Sequence, residues 1–159
     1  EQQVVSGIAF AKDEAKITLL KIADKPGVAA GIFGPLAEAG INVDMIVQNV
    51  SEDGKFTDMT FTVQEAQLPK TLEVLKKAKR EIGYQDLRSS ADVVKVSAIG
   101  IGMRSHAGVA ARMFAALAKE GINIVAISTS EIKISVLIDA VHAEKAVRTL
   151  HTLYGLDAG

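Results

Sequence analysis

The residues KPGVAAGIFGPLAEAGINVDMIVQNV (25–50) return as HAGVAARMFAALAKEGINIVAISTSE (106–131), with Gly27 and Gly108 standing 81 positions apart. In both copies a glycine opens an apolar helix, Gly-Ile-Asn closes it, and a β-branched run follows. Ten identities are kept in register: Gly108, Val109, Ala110, Ala111, Phe114, Leu117, Ala118, Gly121, Ile122 and Asn123 repeat Gly27, Val28, Ala29, Ala30, Phe33, Leu36, Ala37, Gly40, Ile41 and Asn42. Agreement at that density marks an internal duplication. The question the rest of the sequence has to answer is why a protein would carry two such helix mouths.

Around this repeat, 159 residues suffice for two small domains. With 48% hydrophobic and 23% charged residues the chain reads as soluble and globular, with ample material for a core. A formal net charge of −1 gives no field that would call for nucleic acid or an anionic membrane as partner. The basic run Lys76, Lys77, Lys79 and Arg80 falls on the outer side of an amphipathic helix whose Leu72, Leu75 and Ile82 turn inward, so it reads as a solvated face. The absence of cysteine removes disulfides and thiolate metal sites and suits a cytoplasmic protein. No apolar run of ~20 residues is present, so no spanning helix is expected. The first residues, Glu1-Gln2-Gln3, lack a methionine, which suggests a trimmed terminus or the tail of a longer polypeptide.

Hydrophobic periodicity predicts strands at 4–10 and 16–22, separated by a polar turn at 11–15. Pro26-Gly27 then turns the chain into a helix over 28–39, in which Pro35 is expected to cause a kink. A strand at 42–50, a turn around Asp53-Gly54, a strand at 57–64, a helix opened by Pro69 and a short strand at 84–89 complete the first unit. The second begins with a strand from Val93, followed by a helix over 108–120, strands at 123–130 and 132–139, and a helix over 142–153. Each unit reads as ferredoxin-like βαββαβ, α+β, with an antiparallel sheet carrying its helices on one face. The second unit is one strand short, and 4–10 has no place in the first. The first domain (16–91) is therefore expected to be inserted in the second (1–15 plus 92–159), which spares the latter an unpaired sheet edge.

Catalysis finds little support in these residues. There is no GxxxxGK[ST] phosphate loop. The GxG of Gly100 and Gly102 lacks the third glycine and the downstream acid of a dinucleotide fingerprint. His106, His142 and His151 are not at metal-ligand spacing, and no Ser/His/Asp grouping stands out, so neither catalytic nor metal-binding residues are expected. Sheet-borne RNA recognition would need exposed aromatics, whereas Phe56 and Phe61 read as turn or core. A small zwitterion fits better. Gly27 and Gly108 strip bulk from helix N-termini whose free amides suit a carboxylate, and Asp24 is placed to balance an ammonium. Asn42 and Asn123 offer donor and acceptor groups, and Gln48 and Thr129 lie further along the following strands. The same glycines and asparagines would also serve plain turns and helix ends, and spacing alone does not separate the two readings.

The duplicated motif, and above all ISTSEIKISVLI (127–138), resembles the tandem ACT domains at the C-terminal end of the aspartate kinases over nearly the full length. That resemblance implies a homodimer formed through ACT domains, with threonine and lysine as feedback effectors bound where the first unit of one chain meets the second of another. By position it implies contacts from Asp24, Lys25, Pro26, Gly27, Val28, Ala29, Gln48 and Ser51, and from Asn123, Ile124, Thr129 and Ser130. Thr129 and Ser130 match places where the family loses feedback control on mutation. It further implies a catalytic amino-acid kinase domain or subunit, holding ATP and Mg, as partner, and no cofactor in this chain. The second unit has Ser105 in place of Asp24, so the two mouths are expected to differ. An amino-acid-sensing ACT module serving another enzyme or a transcription factor is the alternative. A catalytic domain in its own right would instead phosphorylate aspartate unaided.

Overall fold

The computed structural model describes residues 4–101 and 107–156. It contains two compact units, residues 13–91 and residues 1–12 with 92–159. Two long strands serve both: β1 (Val5–Ala23) and β4 (Asp86–Gly100).

In the unit of residues 13–91, β1 leads into α1 (Val28–Glu38), then β2 (Ile46–Val50), β3 (Phe56–Gln64), α2 (Leu68–Lys77) and α3 (Lys79–Ile82). Its strands lie in the order β2-β3-β1-β4, with β3 antiparallel to both β1 and β2. Alternation along β1 and β3 sends Ile17, Leu19, Met59, Phe61 and Val63 to one face, where Ile32 and Leu36 of α1 and Leu75 of α2 complete the core. Phe33 of α1 meets Phe61 edge-on at 5.2 Å. The other unit repeats this with α4 (Ala107–Lys119), β5 (Ala126–Thr129), β6 (Lys133–Asp139) and α5 (Ala143–Leu153), in the order β1-β4-β6-β5. Val94, Val96, Ala98, Ile134, Val136 and Ile138 face Val109, Met113 and Leu117 of α4 and Ala146 and Leu150 of α5. Val5 joins that core and the Ser6 hydroxyl donates to the Ile99 carbonyl at 3.2 Å. The start of β1 thus supplies the strand that the second unit lacks.

The sequence-based boundaries need correction in several places. No turn interrupts 11–15: Lys12, Asp13 and Glu14 stay extended, and Glu14 pairs with Gln64 of β3. The strands at 84–89 and from Val93 are likewise one, β4, because Ser89-Ser90-Ala91-Asp92 includes no glycine or proline to break it. The strand expected from Asn42 begins only at Ile46. Ahead of it, the Thr62 hydroxyl accepts from the Met45 amide at 3.0 Å and the Thr62 carbonyl accepts from Asp44, which holds the chain out of the regular ladder. The matching strand begins only at Ala126. Helix α1 continues through Pro35 to Glu38. The helix opened by Pro69 is divided at Ala78, which has left helical geometry (ψ 7°).

Candidate functional site

The end of β1 determines the geometry of the first helix mouth. The β1–β3 register shifts between Leu19 and Ile22, where Lys21 takes φ 55°, a left-handed conformation uncommon for lysine. Three contacts hold it there. The Lys21 amide donates to Asp58 Oδ1 at 2.8 Å, its Nζ lies 5.0 Å from the Phe56 ring centre, and the adjacent Leu20 carbonyl accepts from Gln85. Beyond this bulge the Asp24 amide donates to the Lys55 carbonyl at 2.9 Å, fastening the chain to the β2–β3 turn. Residues 25–27 then reverse it, and Gly27, at φ 93°, caps α1 without any side-chain cap for the first amides.

Asp24, Lys25, Pro26, Gly27, Val28 and Ala29 therefore form one exposed turn, with Val28 partly covered. Among the described residues nothing pairs with the Asp24 carboxylate. Ser51 stands in the neighbouring turn, but its hydroxyl is already engaged: it donates to Asp53 Oδ1 at 2.7 Å and accepts from the Phe56 amide at 3.1 Å. That bond and the one from the Lys55 amide hold the Asp53 carboxyl below its ordinary value of 3.8. Gln48 is exposed on β2, opposite Met59. Asn42 is not brought to the mouth, because it follows the far end of α1, roughly 16 Å of helix away.

The second mouth is built differently. α4 starts at Ala107, so Gly108 lies inside the helix and has no positive φ. Ser105 and His106 lie outside the described residues. Asn123 is exposed beyond the far end of α4, and Ile124 is half-buried against the core. Thr129 ends β5 exposed, opposite Ile134 of β6, and the Ser130 amide closes the β5–β6 turn on the Lys133 carbonyl at 2.7 Å. Among the described residues no group of three or more His, Asp or Glu converges to hold a metal ion.

Two ACT-domain models match the chain, at residues 16–80 and 96–154. A crystal structure of aspartokinase alpha and beta subunits contains a chain 50% identical to this one, superimposing with a TM-score of 0.89 over 95% of this chain and 99% of that one. The chain belongs to the aspartokinase family, as its tandem ACT regulatory region. The ligand-free regulatory subunit of aspartate kinase from Thermus thermophilus is 43% identical, with a TM-score of 0.90 over 94% of this chain and 98% of its own. Aspartokinase from Pseudomonas aeruginosa is 54% identical across 99% of this chain, which spans 38% of that protein's length.

In this aspartokinase regulatory region, sequence reasoning missed the parts that aim the mouth. Lys21 and Lys55 contribute through backbone groups and Asp58 through a carboxylate that accepts from a backbone amide, an arrangement that leaves no motif. The only sequence trace of the bulge is the clash between the two-residue alternation of 16–22 and the charge of Lys21.

Proposed function

We propose that this chain is the allosteric sensor of an aspartate kinase, binding threonine, lysine or both and lowering the phosphorylation of aspartate by ATP in a separate catalytic domain or subunit. The observation that carries the reading is the mouth of α1. Uncapped amides behind a left-handed glycine present partial positive charge to a carboxylate, and the unpaired Asp24 carboxylate on the same turn suits an ammonium. A free α-amino acid has both groups on one carbon.

Gln48 and Ser51 of the first unit join this mouth, and Asn123, Ile124, Thr129 and Ser130 from the second unit of another chain complete the reading as contacts at a seam between two chains. Support comes from the strand edges. β2 and β5 each end a sheet and expose Ile46 and Val50, or Ile127, where a second copy could add its own strand. Threonine and lysine, the homodimer, the cytoplasmic setting and the ATP- and Mg-binding catalytic partner all belong to this proposal, in which the chain needs no cofactor of its own. Effectors act by preferring the inhibited arrangement. A coupling of about 1–3 kcal/mol would change the affinity of the linked site roughly 5–150-fold.

Titration calorimetry with threonine, lysine, methionine and isoleucine, singly and in pairs, tests this. Saturable binding of threonine or lysine, weakened about tenfold or more by Asp24→Ala, is expected. Absence of binding by both, or affinity unchanged in the variant, contradicts it.

A further inference from the structure

Away from both mouths, the unit of residues 1–12 and 92–159 holds a concavity of about 400 Å³ between β1 and the first turns of α5. It falls within the roughly 300–1,000 Å³ typical of small-molecule sites. Phe10 and Lys12, two apart on β1, form one wall, and the Lys12 Nζ lies 5.4 Å from the Phe10 ring centre. Ala143 and Val147, one turn apart on α5, give an apolar floor, and Glu144 and Arg148 follow them at the same spacing. Phe10 keeps 49% of its surface exposed, leaving a large apolar face open on β1. Among the described residues no ion pair joins Glu144 to Arg148, although opposite charges four apart on a helix commonly meet. Both charges stay available at the rim, with Lys12 as a second cation.

We propose that this concavity is a second amino-acid site, selective for an α-amino acid with an apolar side chain such as leucine. The side chain lies between Phe10 and Val147, the carboxylate meets Arg148 and Lys12, and the ammonium meets Glu144. Another groove of similar volume, lined by Glu120, Lys145, Arg148, Thr149 and Thr152, lacks an apolar wall, and its Lys145 is already 3.8 Å from Glu120. The Phe10 cavity has both an apolar floor and unspent charge.

Nuclear magnetic resonance titrations of the whole chain with L-leucine, L-leucinamide and 4-methylpentanoate test the site. Leucine should move the Ala143 and Val147 methyl signals saturably. Leucinamide, without the carboxylate, and methylpentanoate, without the ammonium, should each bind about tenfold more weakly. Arg148→Gln and Phe10→Ala should weaken leucine by a similar factor, and Asp24→Ala should leave it unchanged. Failure of leucine to saturate those signals overturns the proposal, as does equal binding of all three compounds. Loss in Asp24→Ala with retention in Arg148→Gln also overturns it, since leucine would then sit at the mouth of α1. The outcome is independent of whether threonine or lysine binds there.

Discussion

Gly27 and Gly108 occupy the same place in the repeat but not the same conformation. Gly27 needs φ 93°, while Gly108 is helical, and an added Cβ would meet nothing within 4 Å at either. The difference between them is therefore one of backbone alone. Gly27→Ala should destabilise the protein by about 1–2 kcal/mol through left-handed strain, whereas Gly108→Ala should be neutral or stabilise by up to ~1 kcal/mol. Urea denaturation of the two variants measures both. Asp53 adds a pH signature. Its carboxyl is held low by Ser51 and Lys55, so the bonds it accepts are intact above the ordinary value of 3.8 and are lost as pH falls through its lowered value. The Lys55 amide resonance should titrate in that acid range, and in Asp53→Asn the titration should disappear. The duplication exposed both glycines as landmarks, but identical letters could not show their different φ angles.

At the scale of elements, each unit ties a tyrosine hydroxyl to a helix carbonyl, though to a different helix in each. The Tyr84 hydroxyl donates to the Leu75 carbonyl at 3.0 Å, and the Tyr154 hydroxyl to the Val109 carbonyl at 2.9 Å. Burial raises both phenols above 10.0, although nearby Arg112 partly offsets the effect on Tyr154. Their contribution is fully present below the ordinary value and lost as pH rises through the raised values. Tyr84→Phe should cost about 1 kcal/mol in denaturant unfolding and flatten the alkaline loss of stability. Such bonds escape sequence reading because they join residues of unrelated spacing. The helices were legible because their apolar positions recur with helical period. The joins in β1 and β4 were not, because Lys12-Asp13-Glu14 and Ser89-Ser90-Ala91-Asp92 look like turns until pairing satisfies their backbone groups.

On the scale of the whole molecule, duplication supplied two ACT domains from one ancestral unit, and each closes its own core. Leu36 and Leu117, equivalent in the repeat and fully buried, should each cost about 2–5 kcal/mol when changed to alanine. Hydrogen exchange should localise each loss mainly to its own unit. The two units are unequal where a ligand would enter, since only the first has the αL glycine and the unpaired aspartate in the described structure. The most direct test is a crystal structure of this chain grown with threonine and with lysine. The account predicts one of them at the start of α1, its carboxylate on the Ala29 and Ala30 amides and its ammonium on Asp24. An empty α1 mouth, with saturating effector bound elsewhere, would contradict it.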